Sequence, residues 1–304
     1  MSQTPVSGTL QRQAKLWLLA IRPKTLFAAL APVMLGTALS YSHNQGHLLN
    51  AFAALLGAIG IQIGTNLAND YWDSKKGADT QDRLGPVRVT SSGLLSPRSV
   101  FVAMILAFVV AGFAGLYLIY VAGWPVFWIG VLSIFCGIIY TAGPFPLAYL
   151  GLGDVFTFVF FGPVATMGTY YVQAHAISFA ALLLGCVPGA YSVVLIALNN
   201  LRDRESDILV NKKTLTVRFG AFFARAEIAV FLFAPFIFTL LLYFKGNLSE
   251  LESLICVAVC IFGGRAIMKP VYRIRDMRLI NDLFPKTAMM SLVMASLLSL
   301  FLLL

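Results

Sequence analysis

Charge is scarce in this sequence. Asp, Glu, Lys and Arg make up 12% of the 304 residues, about half the share found in a soluble domain. That is too little to coat a water-facing surface of this size. Histidine is scarcer: His43, His47 and His175 are the whole supply. All three fall in short connections between apolar runs, which argues against Ser-His or Cys-His chemistry. The four cysteines, Cys136, Cys186, Cys256 and Cys260, lie inside apolar runs. Cys256 and Cys260 stand one helical turn apart, but no His or acid at their depth completes a metal site, so they read as small buried apolar residues. The polar first sixteen residues show no signal-peptide pattern and no cleavage site.

What the sequence has instead is hydrophobic residues, 59% of the chain. The expectation is an integral membrane protein. A solvent without water admits only helices or a closed barrel, and runs of roughly 20 apolar residues fit helices. Nine such runs are expected to cross: Leu26–Tyr41, Leu48–Ala68, Val100–Val121, Pro125–Ala142, Val155–Val172, Phe179–Leu198, Ile228–Phe244, Leu251–Ile267 and Ala288–Leu304. The eighth is the weakest, with Glu252 and Arg265 near its ends. With nine crossings the connections alternate sides, and all of the 22 Lys and Arg except Lys245 then fall on the side of the N-terminus. Basic residues concentrate on the cytoplasmic face, so the N-terminus is expected there, in a cell inner membrane. The net charge of +9 reads as topology. Its partner is anionic lipid, and no nucleic acid is implied. The chain is expected to be one all-α transmembrane domain, residues 1–304, with nine helices enclosing a central cavity.

Acids are the informative minority. Asp70, Asp73, Asp79 and Asp82 follow the second run; Asp203, Glu205 and Asp207 follow the sixth. Of the thirteen acids only Glu250 and Glu252 fall on the outer side, with Glu227 placed just before the seventh run. Asn69 and Asp73 are four residues apart, and so are Asn199, Asp203 and Asp207. On a helix that spacing stacks side chains on one face. If both helices continue past the apolar core, each offers a row of hard oxygen ligands. Such rows suit Mg²⁺, which keeps waters and shares its remaining positions with phosphate. The cations nearby fit a phosphate: Lys75, Lys76 and Arg83 beside the first row, Arg202, Lys212 and Lys213 beside the second. The two helices run the same way and stand four crossings apart, as in a parallel repeat of a four-helix unit. Between the fourth and fifth runs, Tyr140 to Asp154 carries no Lys or Arg and several Pro and Gly. It reads either as a lid over a water-excluding cavity or as a segment that re-enters the headgroup region, with Asp154 at the start of the next helix.

"NDYWDSKKGAD" and "NNLRDRESD" resemble the two aspartate-rich motifs of the UbiA-type intramembrane prenyltransferases. "RPKTL" (Arg22 to Leu26), "NLANDYWDSKKGADTQDRLGPVR" (Asn66 to Arg88), "YLGLGD" (Tyr149 to Asp154) and "KKTLTVRFG" (Lys212 to Gly220) extend the likeness over nearly the whole chain. They are most similar to the branch acting on 1,4-dihydroxy-2-naphthoate. The resemblance implies Asn69, Asp73, Asn199, Asp203 and Asp207 as the catalytic set holding Mg²⁺ and a polyprenyl diphosphate, with Asp70 in the same motif. Gly77 stands where many relatives keep a third acid, and Asp79 is expected to replace it. Asn211 stands where a glycine is usual. Ala148 stands where some relatives have lysine, so no catalytic lysine is assigned to that loop. The implied reaction is transfer of the polyprenyl chain to 1,4-dihydroxy-2-naphthoate with loss of diphosphate and CO₂, in menaquinone biosynthesis. Lys76, Arg83, Arg202 and Lys212 are expected on the diphosphate. Arg22 and Lys24 are expected on the acceptor carboxylate, and Tyr140 and Tyr149 against its rings. Another acceptor such as 4-hydroxybenzoate is the alternative within the class. A secondary transporter fits less well, since its ionisable residues sit near the midplane in inverted repeats.

Overall fold

The computed structural model describes residues 6–77 and 84–304, without the side chains of residues 6–10 and 24. Those residues are helical almost throughout and contain no strand. Twelve α-helices follow in order: α1 (Val6–Ile21), α2 (Pro23–Ser42), α3 (Leu48–Lys75), α4 (Pro97–Ala122), α5 (Trp124–Ile139), α6 (Gly153–Val159), α7 (Ala165–Ala174), α8 (Phe179–Arg202), α9 (Arg204–Leu209), α10 (Leu215–Phe244), α11 (Glu250–Arg273) and α12 (Leu283–Leu303). Eight helical stretches among the described residues are long and apolar enough to cross a membrane. The fourth expected run, Pro125–Ala142, falls on α5, which has 16 residues, or about 24 Å of helix, short of the ~30 Å hydrocarbon layer. The chain is a multi-pass membrane protein.

Local chemistry sets the helix ends. Pro23 and Pro97 occupy first-turn positions, where a missing N–H costs nothing. Ser96, Ser178 and Thr214 accept hydrogen bonds from the first-turn amides of α4, α8 and α10. Ser249 and Glu252 form a reciprocal capping box on α11, so the acid that made this run look weak is its start signal. The seventh run begins earlier than expected, because Leu215 to Phe219 form a turn of helix that breaks at Gly220 (φ 87°, ψ 174°) and resumes. Glu227, placed before that run by its charge, is instead inside α10 and buried. The fifth run is continuous but not regular: a π-turn at Phe160–Val164, containing Pro163, joins α6 to α7.

Neighbouring helices close a ring. α2 packs on α3, α3 on α4 and α5, and the π-turn and α7 return to α8. α8 packs on α10, α10 on α11, α11 on α12, and α12 closes on α2. α8 is the interior helix, 83% buried over its apolar window, and Leu184, Val187, Tyr191, Val194 and Leu198 form the core with α2, α10 and α12. Lipid is as apolar as leucine, so close contact rather than the hydrophobic effect must hold helices together there. Gly162 on the π-turn meets Gly185 and Gly189 of α8. A Cβ on Gly162 would stand 2.6 Å from the Gly185 carbonyl, and one on Gly189 2.8 Å from the Phe158 carbonyl. Three glycines therefore let the broken helix lie directly on α8 and set the width of the space beside it.

Candidate active site

Both acid-bearing helices end at one cavity of about 1140 Å³. α3 runs seven residues past Ala68, the last residue of its expected apolar run, so Asn69 and Asp73 lie on an unbroken helix. α8 stops at Arg202, and Asp203 is not helical (φ −95°, ψ 9°). The Asp203 amide nevertheless donates to the Asn199 carbonyl at 3.0 Å and the Asp207 amide to the Asp203 carbonyl at 2.8 Å. The four-residue stacking read from the sequence thus passes through the joint into α9. Asn69, Asp73, Asn199, Arg202, Lys212 and Tyr140 line the cavity, and so does Arg22.

Three acids of the two motifs, Asp73, Asp203 and Asp207, carry a basic partner. Arg88 Nη2 donates to Asp73 Oδ2 at 3.1 Å. Arg202, 3% exposed, grips both oxygens of Asp203 at 2.7 Å and also donates to Asn199 Oδ1 at 2.6 Å. Its remaining nitrogen donates to Asn281 Oδ1 at 2.9 Å, and Asn281 Nδ2 donates to the Leu84 carbonyl at 2.9 Å. Lys212 reaches Asp207 Oδ1 at 3.2 Å. Asn69 Oδ1 accepts from Thr141 Oγ1 at 3.0 Å. A two-bond arginine–carboxylate pair is strong and fixes both planes, so Arg202 holds the second motif rigid at the cavity wall. Arg88, Asn281 and Asn66 were not among the residues expected here. Arg88 had a signal, since it closes the long motif Asn66 to Arg88; Asn281 had none.

Other expected residues sit elsewhere. Lys76 is not on the lining. Its ammonium donates to the Thr141 and Gly143 carbonyls at 2.7 and 3.0 Å and lies 4.9 Å over the Tyr149 ring. Partial burial there pulls its pKa below the usual lysine value, opposed by the Asp73 charge. Arg218 holds the Leu150 carbonyl at 2.9 Å from the other side, and the Lys213 amide holds that of Tyr149 at 3.1 Å. Cations flanking the two motifs thus clasp the uncharged loop by its carbonyls. Asp70 (1% exposed), Asp203, Asp207 and Asp154 are buried behind the lining rather than on it. Asp154 Oδ1 finds no hydrogen-bond partner among the described residues. Asp79 and Arg83 lie outside the described residues, as does the side chain of Lys24. Asn211 is left-handed (φ 54°), a conformation that glycine takes freely and asparagine tolerates, which explains how it serves where a glycine was expected.

Arg22 forms the elbow between α1 and α2 at φ 53°, ψ 71°. Its carbonyl accepts from the amide and hydroxyl of Thr25, both at 2.9 Å. Asn66 Nδ2 bridges the Ile21 carbonyl at 3.0 Å and Thr25 Oγ1 at 2.9 Å. A non-glycine residue held in this region is strained, and α3 holds it through Asn66.

The UbiA prenyltransferase family profile matches residues 29–302. The chain is 40% identical over 248 residues to a 1,4-dihydroxy-2-naphthoate octaprenyltransferase of Escherichia coli, covering 78% of each chain. It is 39% identical to the Mycobacterium tuberculosis protein of that name, covering 67% of this chain and 70% of that one. Among solved structures, a UbiA homologue from Archaeoglobus fulgidus bound to GPP and Mg²⁺ superposes with a TM-score of 0.70 at 14% identity, covering 95% of this chain and 99% of that one. A digeranylgeranylglyceryl phosphate synthase gives 0.66 at 13%, covering 95% and 98%. At those identities the structures speak for the fold, while the family match spans both motif-bearing helices. The protein is a member of the UbiA prenyltransferase family.

Proposed function

We propose that this protein transfers a polyprenyl chain from polyprenyl diphosphate to 1,4-dihydroxy-2-naphthoate, releasing diphosphate and CO₂ and giving demethylmenaquinol. The observation that carries the reading is one large, mostly apolar cavity lined at one end by residues of both Asn/Asp motifs and by Arg22, Arg88, Arg202 and Lys212. The names of the sequence relatives support the acceptor. The motif end faces the cytoplasm of the inner membrane in this reading, because the basic residues gather there.

The donor set fits Mg²⁺. Asn69, Asp73, Asn199, Asp203 and Asp207 offer oxygen alone, with no Cys or His among them. Among the described residues no three His, Cys, Asp or Glu converge on one point, so substrate oxygens and water would complete the coordination. When bound, Mg²⁺ supplies positive charge to the leaving diphosphate. Asn69, Asp73, Asn199, Asp203 and Asp207 would hold the metal, and Arg88, Arg202 and Lys212, which pair with three of these acids here, would offer donors to the phosphate oxygens. The allylic C–O bond breaks with its electron pair leaving on diphosphate. The apolar wall keeps water from the allylic cation, and the diol ring attacks it. A C–C bond forms and the carboxyl departs as CO₂, so the exchange of allylic cation for CO₂ needs no net proton. Arg22 holds the acceptor carboxylate, and Tyr140, also on the cavity lining, flanks its rings. The polyprenyl tail stays in apolar surroundings, since each CH₂ moved into water would cost about 0.8 kcal/mol.

The test is product formation from 1,4-dihydroxy-2-naphthoate and from 4-hydroxybenzoate with one radiolabelled prenyl diphosphate, with Mg²⁺ and after exhaustive EDTA treatment. The naphthoate is expected to react, the benzoate not, and chelation to abolish the product. Faster prenylation of the benzoate would refute the acceptor, and full activity after EDTA the metal.

A further inference from the structure

The polar lining of the cavity continues below the helix tips. Gln62 precedes Asn66, Asn69 and Asp73 by four, seven and eleven residues, so the four share one face of α3, and all four line the cavity. At ~1.5 Å per residue, Gln62 lies about 6 Å deeper than Asn66 and about 10 Å deeper than Asn69. Gln62 is 7% exposed, and its Oε1 finds no hydrogen-bond partner among the described residues. Asn66, one turn above, is committed to Ile21 and Thr25. A buried carbonyl oxygen left unpaired costs about 1–3 kcal/mol, and lipid offers it no compensation. Its place on a cavity wall points to a ligand group that pairs with it.

We propose that Gln62 binds the hydroxyl at C4 of the aromatic acceptor, the polar group across the ring from the carboxyl-bearing side. The inference rests on the reading that the substrate is 1,4-dihydroxy-2-naphthoate. Asn66 ties α3 to the Arg22 elbow, so the cationic end of the acceptor site lies level with Asn66. The carboxylate is costly to desolvate and stays at that end. A hydroxyl can go deeper if it finds a partner. One turn of helix, ~6 Å, matches the width of a single ring with its substituents. A phenolic hydroxyl donates and accepts, and so does a carboxamide, so either orientation of the Gln62 amide serves. α3 thereby measures the acceptor between Arg22 and Gln62 while Asn69 and Asp73 face the diphosphate. A site built to pair a hydroxyl discriminates strongly against an analogue that lacks it.

The experiment uses the full-length protein in detergent with one prenyl diphosphate and Mg²⁺. It compares the KM for 1,4-dihydroxy-2-naphthoate with the inhibition constant of 1-hydroxy-2-naphthoate, which has no C4 hydroxyl. In the wild type the analogue is expected to bind at least ~tenfold more weakly than the diol. Gln62→Met, similar in volume, is expected to raise the diol KM ~tenfold, leave the analogue's constant unchanged and shift the donor KM less than ~twofold. An unchanged diol KM, a parallel rise for diol and analogue, or a rise confined to the donor would each overturn the assignment. If the variant does not fold, the wild-type comparison decides: an analogue that binds as tightly as the diol overturns it. Wild-type protein that does not prenylate the diol at all refutes the underlying reading, and the inference falls with it; normal turnover with no discrimination refutes the inference alone.

Discussion

Asp73 and Asp203 differ in what holds them. Arg88 gives Asp73 one contact at 3.1 Å, while Arg202 gives Asp203 two at 2.7 Å. An asparagine at position 73 keeps the one acceptor oxygen that Arg88 uses, whereas at position 203 it keeps one oxygen and turns an amide nitrogen toward the buried Arg202, so the charge is lost at both places and stability at the second. A charge removed from a transition-state contact is worth roughly 3 kcal/mol, or about two orders of magnitude in rate. Asp73→Asn and Asp203→Asn are therefore each expected to lower turnover at least ~100-fold at saturating Mg²⁺, with the melting temperature unchanged in Asp73→Asn and lowered in Asp203→Asn. Near-normal turnover in either would show that its carboxylate serves the fold rather than the reaction.

At the scale of elements, the contact between α8 and the π-turn carries the geometry. Gly189 has the Phe158 carbonyl and Gly162 Cα within 3.2 Å of where a Cβ would be, whereas Gly112 on α4 has open space around its position. Gly189→Ala must therefore push apart two backbones that lipid does not press together, at a cost of about 1–3 kcal/mol. Gly112→Ala is expected to be neutral or slightly stabilising, because alanine is the better helix former by up to ~1 kcal/mol. Thermal melting in one detergent distinguishes them: Gly189→Ala lower by several degrees, Gly112→Ala level or higher. Equal melting temperatures would mean that the three-glycine contact does not set the spacing of the two helices.

For the whole molecule, the orientation is the testable quantity. In a background lacking Cys136, Cys186, Cys256 and Cys260, single cysteines at Ala176 and Glu205, both exposed, report the two ends of α8. An impermeant thiol reagent added outside intact cells is expected to label Ala176→Cys and to spare Glu205→Cys. The reverse pattern would place the motif end, with its Arg and Lys, outside, against the asymmetry on which the orientation rests.

Sequence alone determined what depends on neighbours along the chain. Apolar runs of membrane length announced the helices, and the four-residue spacing of Asn69 with Asp73, and of Asn199 with Asp203 and Asp207, announced two rows of oxygens, because helix geometry is a local rule. The break at Gly220 escaped that reading, and so did the burial of Glu227, because a charged residue within a helix resembles a loop residue until its surroundings are known. Tertiary structure decided which charges meet. Arg202 finds Asn281 across 79 positions, Asn281 finds Leu84 across 197, and Lys76 turns from the cavity to the Thr141 carbonyl across 65. No local period encodes such pairs. They follow from the order in which helices close the ring, and that order rests on close contacts such as Gly162 against Gly185, which composition does not reveal. Gln62 shows the same division: its place on the Asn66–Asp73 face is a matter of spacing, but that its Oε1 is left without a partner among the described residues at a cavity wall is known only once the other helices surround it.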